Sequence, residues 1–233
     1  MQTEHDAMHQ DNSADINDEL SKLEQDIHDA LVDGINVRDT VHDLTLKAMK
    51  ADRLDIDSIR RIVTAVANGV HEGAQQKFIT ANNQTQTAKS QITAAMAGLD
   101  SALARLAEAS KLAVQEAAGR AQKFSDQELV RTRSDLESLE NLFLDTLKNT
   151  ASATQGLISD IFHDITKHAQ NNGTVVGTQL KETLGIFAQQ AASVGHAQME
   201  AGAQLTQATA GFIHKITSGV LSGLKDHTQD NHK

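Results

Sequence analysis

The sequence predicts an all-α protein: an elongated antiparallel helical hairpin or coiled-coil bundle, preceded by two short N-terminal helices. Three observations carry this. Proline is absent from the 233 residues, where a chain with many tight turns would carry about 5%. Trp, Tyr and Cys are absent too, and only six Phe occur, so a core must be built from Ala, Leu, Ile and Val in thin helix-to-helix seams. Apolar residues recur at steps of three and four through most of the chain, the spacing of one helix face.

Residues 1–14 are polar and are expected to form a disordered tail. Residues 15–56 read as an acidic pair of helices. The first, about 15–32, carries Leu20, Leu23, Ile27, Leu31 and Ile35 on one face and ends at Gly34; the second carries Val37, Val41, Leu44, Ala48 and Met49. Asp57 is well placed to cap the next helix. Residues 57–124 then predict one long helix, its seam running from Ile59, Ile62 and Val66 through Ile92, Leu99 and Leu103 to Ala117. At 1.5 Å per residue it would span on the order of 100 Å, with a weak point at 80–87 (TANNQTQT), which is poor in helix formers.

Ser125-Asp126-Gln127-Glu128 is a capping box, so a new helix starts there. Residues 125–225 are expected to form one long helix or two, with a break at 171–173 (Asn-Asn-Gly). Residues 226–233 are a polar tail. With Ser125 at the tip of a hairpin, Gly73 is expected beside Gly177. The spacing of Gly69 with Gly73, and of Gly173 with Gly177, suits close helix packing.

The net charge of −10 is unevenly placed: residues 1–60 hold fifteen acidic and six basic side chains, residues 61–233 sixteen and fifteen. No basic stripe is present to neutralise phosphates, so nucleic acid is not an expected partner. The first residues show neither a basic region nor an apolar one, which argues for a cytoplasmic protein.

Catalytic and metal signatures are not found. No His-Glu-x-x-His sequence occurs, and Asp39-x-x-His42 and Asp160-x-x-His163 match only half of a di-iron pattern. The dipeptides at His28, His42 and His163, each followed by Asp, read as solvent-facing pairs. No Walker loop, Gly-x-Ser-x-Gly or dinucleotide fingerprint is present. The expectation is a non-enzymatic protein with no catalytic, cofactor or metal residues.

What the sequence does offer is amphipathicity. From Thr183 to Leu224 only Glu200 and Lys215 are charged, yet no run of about 18 apolar residues exists, so a transmembrane span is excluded. The candidate face, for a hydrophobic surface or for oligomer contact, is Leu180, Leu184, Phe187, Leu205, Phe212, Ile213, Ile216, Val220 and Leu224. Its polar side is almost free of Lys and Arg. That argues against anionic bilayers and leaves an uncharged hydrophobic polymer or lipid particle, or a second copy in a homo-oligomer, as partner.

Over roughly residues 58–224 the chain resembles the phasins, small helical proteins that coat bacterial polyhydroxyalkanoate granules. The resemblance rests on long amphipathic stretches such as 139–165 (LENLFLDTLKNTASATQGLISDIFHDI), on Ala- and Gln-rich turns such as 187–203 (FAQQAASVGHAQMEAGA), and on the missing Cys, Trp and Pro. It implies a cytoplasmic, oligomeric, granule-associated protein without catalysis. A coiled-coil scaffold with no granule ligand and an α-helical membrane-inserting protein are the alternatives.

Overall fold

The computed structural model describes residues 3–51, 55–80, 85–119 and 126–197. These form seven helices, α1 (Thr3–Asp33), α2 (Val37–Ala51), α3 (Ile56–Thr80), α4 (Thr85–Gly119), α5 (Asp126–Ala153), α6 (Leu157–Asn172) and α7 (Val175–Ala197), and no strand.

The chain starts helical earlier than its polarity suggests. α1 begins at Thr3 and not near residue 15; no Gly or Pro interrupts 3–14, and adding residues to an existing helix costs little once it is nucleated. It ends as expected at Gly34, which has φ of 72° and donates its N–H to the Ala30 carbonyl. α3 is capped by Asp55, whose Oδ1 accepts from the Ser58 N–H at 2.7 Å, so Asp57 lies in the first turn rather than at the cap.

The expected single helix over 57–124 is two helices, α3 and α4, on either side of the weak point, with 81–84 and 120–124 outside the described residues. Their directions follow from residue contacts. Gly69 lies against the Glu24 carbonyl and Gly73 against that of His28, so four residues along α3 match four along α1 and the two helices run parallel. Ile56 is then level with residue 11, and the chain can return there from Gly34 only if α2 runs back along α1. α4 follows α2, since Gly34 meets Gln91 while Arg38 meets Gly98 and Ser101. α4 is therefore antiparallel to α3.

A second reversal lies at 154–156, inside a stretch expected to be continuous. Thr146, Thr150, Ser152 and Thr154 each donate a hydroxyl to the carbonyl four residues back, a pattern that bends helices. Gly156, at φ 66°, then completes the turn, and Ser159 Oγ donates to the Ala151 carbonyl at 2.8 Å. The Asn-Asn-Gly stretch at 171–173 is where α6 gives way to α7, with Gly173 at φ 81°.

α6 and α7 both run along α4 in its own direction. Lys89 pairs with Asp164 at 2.8 Å, the Asp100 carboxylate with the Val176 N–H, and the Thr183 hydroxyl with the Ala107 carbonyl, equal steps on the two sides. The hairpin register about Ser125 is thus not formed: Gly73 packs on His28 and Leu31 of α1, and Gly177 on Glu140 of α5. α4 touches each of the other six helices. Ile92, Ala95, Met96, Leu99, Leu103 and Ala107 bury its several faces, and its many alanines let neighbours approach on all sides. One continuous core joins α1–α4 (Ile27, Leu31, Val66, Val70) to α5–α7 (Leu139, Leu147, Phe162, Phe187).

Candidate functional site

The sequence face assigned to a hydrophobic surface divides in the structure. Leu180 and Phe187 are buried, at 4% and 2% exposure, in the core that α7 forms with α4 and α5, and Leu184 is half-buried. Among the described residues α7 is covered by those helices and not by the N-terminal pair. Leu205, Phe212, Ile213, Ile216, Val220 and Leu224 lie outside the described residues. Of the four glycines read as close-packing positions, Gly69 and Gly73 do hold α1 against α3. Gly177 sits against the Glu140 carboxylate, and Gly173 lies in the open turn with no atom near where a Cβ would be.

The start of α7 is a buried polar point of the fold. Asp100, 8% exposed, accepts from the Val175 and Val176 N–H groups at 2.8 and 2.9 Å, supplying from α4 the acceptors that a helix N-terminus lacks. Thr174 caps the same turn: its Oγ1 accepts from the Gly177 N–H at 2.8 Å and donates to Glu140 Oε1 at 2.7 Å. Burial pushes the Asp100 carboxyl above the ordinary Asp range; the Val176 and Val175 N–H groups pull it down, Glu140 pushes it up, and Arg38 pulls it down.

Beside this point α2, α4 and α7 enclose a cleft of about 350 Å³. Its lining includes Arg38 and His42 from α2, Ser101, Arg105 and Glu108 from α4, and Val175 from α7. Ser101, His42 and the neighbouring Asp43 are the residue types of a nucleophilic triad, and His42 Nδ1 does contact Asp43 Oδ1 at 2.9 Å. Their arrangement is different from one. Among the described residues no hydrogen bond joins Ser101 to His42. Ser101 Oγ instead accepts from Arg38 Nη2 at 3.2 Å, and Asp43 is 79% exposed where a triad acid is buried. The same contact recurs between His28 and Asp29 at 2.8 Å and is not made at His163, whose neighbour Asp164 pairs with Lys89; His28 and His42 are half-buried where the sequence reading placed them facing solvent. Arg105 is taken up by Glu108 at 2.6 Å.

Asp160 and His163 are exposed on α6, and Asp164 belongs to the pair with Lys89, which holds its carboxyl below the usual Asp range. Among the described residues no group of three or more His, Asp or Glu is placed to hold a metal ion, and no helix is long and apolar enough to cross a membrane. His5 and His9, four apart at the start of α1, have side chains outside the described set.

Residues 13–230 match a family of unknown function (DUF6781). The chain belongs to that family. No curated protein and no solved structure matches it. The DUF6781 match starts within α1, takes in all the other helices and continues through the low-charge segment to residue 230, so the acidic N-terminal pair and the C-terminal stretch fall within one family unit.

What sequence reasoning missed at this site is the role of Asp100. On a helical wheel it is one acid beside an apolar stripe, with no local signal. Its partners are the two N–H groups of Val175 and Val176, brought to it by the tertiary fold.

Proposed function

We propose that this protein is a non-catalytic, amphipathic helical protein of the cytoplasm that associates with an uncharged hydrophobic inclusion surface, of the kind a polyhydroxyalkanoate granule presents, and with itself as a homo-oligomer. One observation carries the reading. The apolar stripe of α7 is already consumed at Leu180 and Phe187 inside the chain, yet the sequence continues it with Leu205, Phe212, Ile213, Ile216, Val220 and Leu224. Lys215 is the only Asp, Glu, Lys or Arg between residues 205 and 224. A stripe with so little charge suits a surface without charge better than an anionic bilayer, which attracts basic segments. The family match includes these residues, so they belong to the unit and not to an appendage.

Co-sedimentation with polyester granules, neutral liposomes and anionic liposomes tests this. Binding to granules alone, lost in a Phe212→Asp/Ile216→Asp variant, is expected. Binding to none points to a coiled-coil scaffold, and binding to granules and both liposomes to a membrane-inserting protein.

A further inference from the structure

The cleft between α2 and α7 is floored by one face of α4. Ser101, Arg105 and Glu108 recur there at steps of four and three, and among the described residues α2 and α7 make no contact with each other across it. Gly98 fixes the α2 wall. A Cβ at that position would stand against the Arg38 carbonyl, so α2 rests directly on the α4 backbone about one turn before Ser101, and the start of the Arg38 side chain is held in place.

Most charges around the cleft have a partner within the fold. Glu108 holds Arg105 at 2.6 Å. Asp39 lies in the first turn of α2, where the helix dipole favours an acid. Both oxygens of the Asp100 carboxylate accept from the Val175 and Val176 N–H groups. Arg38 is different: Asp100 feels its charge without bonding to it, its Nη2 donates to Ser101 Oγ at 3.2 Å, and among the described residues no carboxylate pairs with it. Ser101 is turned the same way. Thr45, Thr93, Ser110 and Thr183 donate their hydroxyls to the carbonyl four residues back, whereas Ser101 Oγ accepts from Arg38 and keeps its own proton to give. On the α7 wall the side-chain amide of Gln179 has no partner among the described residues.

We propose that this cleft binds a small oxyanion, a carboxylate or a phosphate ester, through the Arg38 guanidinium, the Ser101 hydroxyl and the Gln179 amide. All three carry hydrogen-bond donors that the fold leaves without acceptors, and they come from three different helices around one space. The planar fork of a guanidinium matches two oxygens of either anion. A volume of about 350 Å³ is that of a small-molecule site, which selects a small molecule over a macromolecule. Arg38 is exposed, so a ligand reaches it from solvent. The site is independent of the surface association proposed above, which rests on residues 205–224.

The full chain is titrated with sodium phosphate and, separately, with sodium acetate at fixed ionic strength, and binding is read by NMR from the Arg38 side chain and the backbone amides of 38, 101 and 179. Saturable shifts confined to these positions, half-complete at millimolar concentration or below, are expected. Tighter binding of phosphate assigns the ligand to phosphate esters, and tighter binding of acetate to carboxylates. Arg38→Gln is expected to weaken binding at least about tenfold, the scale of a lost hydrogen bond to a charged group, with an unchanged thermal midpoint because the side chain is exposed. Gln179→Ala is expected to weaken it as well, and reads the site independently of any change in α2. Asp39→Asn, which removes an acid from the lining, is expected to tighten it. Three results overturn the proposal: neither salt gives saturable shifts; Arg133→Gln, which removes an exposed arginine of α5, weakens binding as much as Arg38→Gln does; or Asp39→Asn weakens binding while Arg38→Gln strengthens it, the pattern of a cation site.

Discussion

Asp100 is a carboxylate placed where burial penalises its charge and two N–H groups reward it. Asp100→Ala leaves the first N–H groups of α7 without their acceptor and is expected to cost about 1–3 kcal/mol in chemical denaturation, with faster amide exchange at 175–177. The pH dependence has a definite sign. The folded pKa is raised, so the stability that Asp100 contributes is fully present below the ordinary Asp value and is lost as pH rises through the raised one. Asp100→Asn lacks this loss. Its stability relative to wild type should therefore improve as pH rises across that window, and denaturation curves at pH values on either side of it check this. Two glycines give a second contrast. Gly69→Ala places a Cβ against the Glu24 carbonyl, and the overpacking, about 1–3 kcal/mol, outweighs the helix propensity gained. Gly185→Ala, with open space around it in α7, is expected to gain about 0.5–1 kcal/mol. Thermal midpoints moving in opposite directions confirm both. Gly69 was legible in the sequence as a close-packing residue, because small residues at a spacing of four make a groove on any helix. Its partner was not, because nothing in that spacing says whether α1 or α7 fills the groove.

At the scale of elements, helix identity was legible wherever a periodic stripe and a local stop signal coincided. Gly34 and the Asn-Asn-Gly stretch each sit at a helix boundary of the structure, while Ser125 of the capping box lies outside the described residues. The weak point read at 80–87 lies where α3 ends and α4 begins, whereas the turn at 154–156 was harder to read because it has no Pro and its cause is a run of hydroxyls competing for carbonyls before Gly156. α7 shows the consequence for function. Its stripe looked available for a partner, and its first half is core. Phe187→Ala is expected to cost about 3–5 kcal/mol in unfolding free energy, as for a buried aromatic. A loss below about 1 kcal/mol would mean that Phe187 faces out.

For the whole molecule, helix direction is where the structure departs most from the hairpin that the sequence predicts. A long hairpin would put Lys111 opposite residues near 139, whereas the fold sets it 3.3 Å from Glu182, because α4 and α7 run the same way. Zero-length carbodiimide coupling of lysines to carboxylates, read by mass spectrometry, is expected to join Lys111 to Glu182 and Lys89 to Asp164. Coupling of Lys111 to Glu137 or Glu140 would restore the hairpin. Ile35, which its spacing after Leu31 had placed on a buried face, stands exposed in the turn between α1 and α2.

By itself the sequence determined that the protein is helical, where most of its amphipathic stripes run, and that one long stretch is nearly free of charge. These are properties of residue spacing and composition, which each helix carries locally. Only the tertiary structure decided which stripes meet, that Asp100 caps a helix seventy-five residues away in the chain, and that Leu180 and Phe187 are covered while Ile35 and Ile79 are not. A stripe specifies that a surface must be buried, and many partners satisfy that demand almost equally. The choice among them rests on where the chain reverses, and those reversals were set by weak, distributed signals.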